Sequence, residues 1–160
     1  MSKIITTSKN FKILVDDDNF EFLSQFRWSI SNKGYAVSSG NKKKGYNKAL
    51  KIHRLIMGLT DPKIQVDHIN RDKLDNRICN LRECNNYQNS VNRGVNKNHP
   101  VGYKGVRILG NRYQTRIKSY GTTLYLGCYD DAKIAGRIYD VCSMILNGQN
   151  NYINNISLKV

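Results

Sequence analysis

The stretch 64–93 constrains the fold of this chain more than any other. Residues 64–70 have the pattern of a short strand, 71–77 form a polar loop, and 80–84 can form a second strand. Residues 85–93 are polar and favour a helix. The stretch therefore predicts the order strand, loop, strand, helix. Asp67 and His68 fall on the first strand, and Asn89 falls on the helix.

Asp67, His68, Asn80 and Asn89 form a spaced set that suits phosphodiester hydrolysis. That reaction needs a positioned water, a sink for negative charge and help for the leaving oxygen. A hard divalent cation on an anionic oxygen such as that of Asp67 can supply the last two. A neutral histidine can accept the proton of the water near pH 7. Neighbours on a regular strand point to opposite sides, so we expect a bulge or a loop transition beside His68.

The charge of the chain indicates a polyanionic partner. There are 26 Lys and Arg residues against 12 Asp and Glu, which gives a net charge of +14 spread along the whole length. A phosphate backbone is the usual partner of such a field, and we expect both halves to contact it. No apolar run approaches the roughly 20 residues of a membrane span, and we see no secretion signal.

Four cysteines occur without C-x-x-C spacing, at Cys79, Cys84, Cys128 and Cys142. We interpret them as reduced, mostly buried thiols of a reducing cytoplasm. Structural zinc is not expected, although a zinc-dependent variant using Cys79 or Cys84 stays open.

Elements on either side of the stretch 64–93 indicate an α+β chain. The predicted N-terminal elements are strands at 11–16, 28–30 and 35–39, a helix after Asp16, and a strand end running into a short helix at 49–57. Residues 94–100 are rich in Asn and Lys and are predicted to be a linker. The predicted C-terminal elements are strands at 103–108, 112–119 and 123–126 and a helix that is capped by Asp130 and Asp131 and runs to Leu146. We therefore predict domains at 1–93 and 101–160.

The predicted strand 112–118 alternates basic and apolar positions. One face carries four long polar side chains and no acid, and the other face can pack on the apolar stripe of the C-terminal helix. The long polar residues are Arg112, Gln114, Arg116 and Lys118. This face suits docking in a DNA groove.

Residues 66–82, VDHINRDKLDNRICNLR, closely resemble the phage and intron-encoded branch of the HNH nucleases, and the resemblance extends over about 52–93. It implies a ββα-metal finger in which His68 is the general base and Asp67 is a metal ligand. Asn80 would fix the finger loop and the orientation of His68, and Asn89 would be the second protein ligand. Mg²⁺ is the expected metal and Mn²⁺ the alternative.

Three further residues near these positions have two interpretations each. His53 could be a second catalytic histidine, but a packing role or a phosphate contact is favoured. Arg77 and Arg82 could bind phosphate oxygens bidentately or lie solvated on the surface.

Residues 102–107, 113–118 and 124–130 resemble the Apetala-type domain of plant ethylene-response factors, over about 100–152. The resemblance implies a three-stranded antiparallel sheet, with one helix, that enters the major groove. The positions matching its DNA contacts are Lys104, Arg107, Lys118 and Tyr125. A typical tryptophan is absent, with Gly110 near its place, and Lys replaces Arg at 104 and 118. The plant target sequence therefore does not carry over.

Together the two resemblances imply a site-specific, metal-dependent DNA endonuclease of the homing type. The sheet module would select a site in double-stranded DNA and the finger would cut nearby. We expect a monomer, with a dimer as the alternative, encoded by a phage or mobile element and acting in a bacterial cytoplasm. The alternatives are a DNA-binding regulator with a silent finger and a structural-RNA binder.

Overall fold

The structure, a computed structural model, describes residues 1–40, 45–46, 49–148 and 151–156. These residues form small antiparallel sheets and helices, which is consistent with the predicted α+β class. The chain divides into two compact units, Met1–Asn86 and Tyr87–Val160. Among the described helices, none has both the length and the apolarity needed to cross a bilayer.

The first unit begins with two strands and a short helix. Strand β1 (Ser2–Thr6) pairs antiparallel with β2 (Lys12–Asp16), and helix α1 (Asp17–Leu23) follows. Strands β3 (Ser29–Ile30), β4 (Ala36–Ser38) and β5 (Leu50–Lys51) form a second sheet in the order β3-β4-β5, and β5 runs into α2 (Ile52–Ile56). All of these elements except β1 follow the sequence prediction.

The hydrophobic core of the first unit lies among these elements. It is built from aliphatic and aromatic side chains of β1, β2, α1, β4 and α2 and of the segment after α1. The Trp28 indole donates to the carbonyl oxygen of Leu23 at 2.8 Å, which satisfies its polar end inside the core. The buried members are Ile5, Ile13, Val15, Leu23, Phe26, Trp28, Ala36 and Ile52. Leu74, which lies between the two strands predicted in the stretch 64–93, packs against this core.

Strand β6 (Gln65–His68) pairs antiparallel with β7 (Leu81–Cys84), and a 3-10 turn (Ile78–Asn80) leads into β7. Helix α3 (Asn86–Asn92) follows, so the predicted order of strand, loop, strand and helix is confirmed. Apart from Asn86, α3 belongs to the second unit. The boundary between the units lies ahead of the predicted linker 94–100, and the predicted domain limits stay a prediction.

The second unit contains a three-stranded antiparallel sheet and a long helix. Strands β8 (Val106–Leu109), β9 (Arg112–Ser119) and β10 (Thr122–Tyr129) lie in the order β10-β9-β8. The carboxylate of Asp131 caps helix α4 (Ala132–Asn147) by accepting from the amides of Lys133 and Ile134.

Helix α4 packs on the sheet, where Oγ1 of the buried Thr115 on β9 donates to the Ala135 carbonyl oxygen at 3.1 Å. Its buried residues are Ala135, Gly136, Tyr139 and Ser143. The apolar stripe predicted from the sequence was wrong at its end, since Ile145 is 76% exposed. The predicted stripe consisted of Ala135, Ile138, Tyr139, Cys142, Ile145 and Leu146. Gly105 has φ +77, and a Cβ there would lie 2.0 Å from the Tyr139 ring, so only glycine allows this approach of helix and sheet.

The cysteines are all free thiols. Cys84 is buried, Cys128 and Cys142 are half-buried, and Cys79 is exposed, so the prediction that most of the thiols are buried was wrong.

Candidate active site and basic surface

His68 is the last residue of β6 and is only 3% exposed. Its Nε2 lies 3.2 Å from Oδ1 of Asn76, a residue that is completely buried. With this oxygen as acceptor, Nε2 carries the proton and Nδ1 is the basic nitrogen of the ring. Burial lowers the pKa of His68, while the Asn76 hydrogen bond and the Asp67 charge act in the opposite direction. The ring is therefore neutral at pH 7, as a general base must be.

Two other rings pack against His68. The His53 ring lies edge-on to it with centroids 5.3 Å apart, and Tyr35 lies 5.2 Å from His53 and 5.9 Å from His68. His53 is 5% exposed, and burial, followed by the His68 charge, lowers its pKa to about 3. A neutral, buried imidazole packs well but is poorly suited to bind phosphate. The structure thus supports the packing interpretation of His53.

Asp67 faces Arg82 across the β6–β7 pair. The Arg82 guanidinium donates to Oδ2 of Asp67 from Nε at 3.1 Å and from Nη2 at 2.7 Å. Pairing continues in regular register through His68, where the strand ends. The Arg71 amide then closes a turn by donating to the His68 carbonyl oxygen. Of the two features expected beside His68, the structure has the transition into a loop and no bulge in β6.

Asn80 ties the loop between the two strands together. Its Oδ1 accepts from the Asn70 amide at 2.9 Å, and its Nδ2 donates to the Asp75 carbonyl oxygen at 2.7 Å. The Asn80 carbonyl oxygen also accepts from the Ile69 amide. These bonds span both ends of the loop that begins at His68. The geometry supports the predicted loop-fixing role of Asn80.

The loop is also anchored to strand β2. Leu14 exchanges backbone hydrogen bonds of 2.8 Å with Leu74 and Asn76, and the Ile78 amide donates to Oδ2 of Asp16. Strand β2 is thus joined directly to the loop that follows His68. Sequence reasoning missed Asn76 and Leu14, because an asparagine in a polar loop and a leucine in a strand carry no sign of this pairing.

Arg77 is held by an acid within the loop. Its Nε and Nη2 donate to the two carboxylate oxygens of Asp75 at 2.8 and 2.7 Å. The Arg77 guanidinium holds the pKa of the Asp75 carboxyl below its usual range. Both predicted phosphate-binding arginines of this region therefore make bidentate or forked contacts inside the protein, and their contact with DNA stays a prediction.

Asn89 lies on α3, in the second unit, whereas Asp67 and His68 lie in the first. Its role as a metal ligand accordingly rests on the resemblance. Within the described residues there is no cluster of three or more His, Cys, Asp or Glu side chains suited to a metal. The predicted donors, one carboxylate and one carboxamide, are hard oxygen ligands of the kind Mg²⁺ accepts together with water.

Most of the side chains predicted to form the basic surface are exposed in the structure, among them Arg107 and Arg112. Arg116 and Lys118 are exposed on β9, and Tyr125 is exposed on β10. Gln114 is instead buried and accepts from Arg107 Nε at 2.7 Å. Strand β9 itself carries no acid on this face, as expected. Asp130, which follows β10, nevertheless accepts from Arg112 Nε at 2.8 Å.

Lys104, the remaining predicted DNA contact, has its ammonium group at the end of α3. The Nζ donates to three main-chain carbonyl oxygens, those of Ser90 at 3.1 Å, Val91 at 2.7 Å and Arg93 at 2.7 Å. Sequence reasoning had no signal for this contact, because Lys104 and α3 lie on opposite sides of the predicted linker.

Comparison with known proteins agrees with this geometry. A family model described as HNH endonuclease matches residues 51–91. An uncharacterized HNH endonuclease of Acanthamoeba polyphaga mimivirus is 30% identical over 138 residues, which cover 82% of this chain and 68% of that protein. The chain belongs to the HNH endonuclease family. Membership supports nuclease activity on DNA, and HNH nucleases generally use a divalent metal. The family model ends at residue 91, so the resemblance of the C-terminal module to Apetala-type domains stays a prediction.

Proposed function

We propose that this HNH endonuclease is a site-specific enzyme of the homing type that cuts double-stranded DNA with a divalent metal, acting in the cytoplasm of the host cell. One observation carries the proposal: His68 ends β6 as a buried, neutral imidazole whose Nε2 is hydrogen-bonded to Asn76. That contact leaves Nδ1 as the basic nitrogen, which is the arrangement a general base requires.

The proposed reaction is hydrolysis of one phosphodiester bond. His68 Nδ1 takes a proton from a water as the water oxygen attacks phosphorus, and the bond from phosphorus to the 3′ oxygen breaks. The 3′ oxygen takes a proton from solvent, which leaves a 5′-phosphate end and a 3′-hydroxyl end. Asn76 holds the tautomer of His68, while Asn80 holds the loop that follows it. A base so placed contributes about 10²–10⁴-fold to the rate.

Asp67 and Asn89 are the residues proposed to hold the metal, with Mg²⁺ expected and Mn²⁺ the alternative. The cation would stabilise charge on the phosphate and on the leaving oxygen. The Arg82 guanidinium fixes one oxygen of Asp67 and so sets the orientation of the carboxylate. One finger has one active site, so we expect a monomer to nick one strand.

The C-terminal module is proposed to select the DNA site. Arg116 and Lys118 project from β9 without acid beside them on that strand, and the exposed Tyr125 lies opposite Arg116 on β10. Positive and aromatic groups on adjacent strands suit a groove lined with phosphates and base edges.

Conversion of supercoiled plasmid tests the proposal. The plasmid pool should carry candidate genomic sites, and wild type, His68→Ala and His99→Ala are compared with and without Mg²⁺. We expect metal-dependent open circles from wild type, a loss of about 10²–10⁴-fold with His68→Ala, and no change with His99→Ala, which lies outside the site.

Two results would contradict the proposal. Cleavage by His68→Ala at the wild-type rate would remove His68 as the base. No cleavage with Mg²⁺ or Mn²⁺, with tight duplex binding retained on a pool that contains the true site, would favour the DNA-binding regulator.

A further inference from the structure

Helix α3 carries Asn89 but is fixed by residues of the C-terminal module. At its start, Tyr87 stacks on Tyr120 with ring centroids 4.7 Å apart. The Tyr87 hydroxyl donates to Oδ1 of Asn147 at 2.5 Å and lies 3.3 Å from Oγ of Ser119. Tyr87, the first residue of α3 that belongs to the second unit, is therefore bound to the β9–β10 turn and to the end of α4.

The other end of α3 is bound by Lys104. A helix leaves its last carbonyl groups without partners and carries a partial negative charge there. Helix α3 has no basic residue in its last turn. The Lys104 ammonium supplies the compensating positive charge from outside the helix and donates to the carbonyl oxygens of Ser90, Val91 and Arg93.

The C-terminal segment adds a further contact to the same turn. The Tyr152 amide donates to the Val91 carbonyl oxygen at 3.2 Å, and Lys104 Nζ lies 5.5 Å from the centre of the Tyr152 ring. A helix of seven residues is too short to be stable by itself. Its order must therefore come from contacts such as these.

We propose that Lys104 is a positioning residue for α3, and that the C-terminal module holds in place the helix that carries Asn89. An ammonium group has three N–H donors, and three carbonyl oxygens already lie within reach of this one. The module thus serves the cutting step as well as the choice of site. The catalytic half of this inference rests on the proposed role of Asn89 as a metal ligand, whereas the ordering of α3 does not.

Lys104→Met tests the proposal in the full chain, since it keeps the aliphatic length and removes the charge. Lys133→Met, an exposed lysine of α4, is the matched control, and Lys104→Arg tests rescue by a conservative change. Three quantities are measured: amide hydrogen exchange of residues 87–93, the kcat and KM of metal-dependent cleavage, and DNA affinity against salt.

For Lys104→Met we expect exchange in α3 to be faster by about tenfold or more, because charge-assisted bonds to the helix end are lost. We expect kcat to fall by a similar factor, with KM and the salt dependence of DNA affinity unchanged. Lys104→Arg should recover part of the loss, and Lys133→Met should match wild type in every measurement.

Unchanged exchange in α3, together with weaker DNA binding and a salt slope reduced by about 1, would overturn the proposal in favour of a phosphate contact. Faster exchange with unchanged kcat would overturn its catalytic half. If wild type itself does not cleave, the proposed function fails, and exchange alone still decides whether Lys104 orders α3.

Tyr87→Phe provides a second variant if Lys104→Met fails to fold. It keeps the ring stack on Tyr120 and removes only the hydroxyl contacts to Ser119 and Asn147. A smaller increase in α3 exchange is expected, and its absence would count against the module as the support of the helix.

Discussion

Polar residues have different roles in the loop 69–80 and in strand β9. In the loop, Asn76, Asn80 and Asp75 are buried and hydrogen-bonded, so their side chains determine the backbone path. On β9, the backbone ladder determines the path, and Arg116 and Lys118 only project from it. A buried polar network fixes one geometry and tolerates little change, whereas an exposed face displays charge and tolerates much.

The largest stability effect should come from Asn80→Ala. The change removes the bonds that the buried Asn80 side chain makes with the Asn70 amide and the Asp75 carbonyl oxygen. A loss of about 2–4 kcal/mol is expected, at about 1–3 kcal/mol for the buried Asp75 carbonyl oxygen left unsatisfied and about 1 kcal/mol for the bond to the part-buried Asn70 amide. Urea denaturation measures it, with Asn111→Ala in the exposed β8–β9 turn as the control. Equal stability of the two variants would break the contrast between loop and strand.

Acid should weaken the buried site through His53. Its pKa is about 3 in the folded protein against 6.5 ordinarily, so the unfolded chain binds the proton first as pH falls. The stability associated with His53 is therefore complete above pH 6.5 and is lost progressively between pH 6.5 and about 3. At pH 5 the loss is about 2 kcal/mol.

Urea denaturation at pH 7 and pH 5, for wild type and His53→Phe, isolates this contribution. The variant should lose about 2 kcal/mol less than wild type between the two pH values. Equal losses would mean that His53 takes up no proton on unfolding in this range.

The exposed strand should affect binding and leave stability nearly unchanged. Arg116→Ala and Lys118→Ala should each weaken DNA binding and reduce the salt slope by about 1, with stability within about 0.5 kcal/mol of wild type. Titration of duplex DNA at several salt concentrations measures the slope. Unchanged affinity and slope would remove this face from the DNA interface.

Arg112→Ala should have the smallest effect. Its partner Asp130 is 85% exposed and Arg112 itself 53% exposed, so water screens the pair. Its contribution to stability is expected to be below about 1 kcal/mol, as measured by a double-mutant cycle with Asp130→Ala. A larger coupling would show that this pair stabilises the fold as the buried side chains of the loop 69–80 do.

Sequence patterns predicted the elements whose signal is local. The alternation of Ile13 and Val15 gave β2, the cap at Asp131 gave the start of α4, and the spacing of Asp67, His68 and Asn80 gave the loop. Each of these depends on residues a few positions apart.

Contacts between distant parts of the chain could not be predicted in this way. The backbone bonds of Leu14 to 74 and 76, the Asn76 contact with His68, and the Lys104 contact with α3 depend on packing that no short pattern records. Lys104 illustrates the limit. The resemblance to Apetala-type domains predicted that its side chain contacts DNA, whereas in the structure its ammonium group contacts the end of α3.

The attachment of α3 to the second unit bears on module exchange in the laboratory and in gene shuffling. A chimera joined at residues 94–100 would supply a foreign module lacking both Lys104 and the Tyr120 ring that stacks on Tyr87. Helix α3 would then have lost its support even though every nuclease residue was retained. A junction placed at Asn86 transfers the helix together with its own module. We therefore expect a working hybrid to need its junction there.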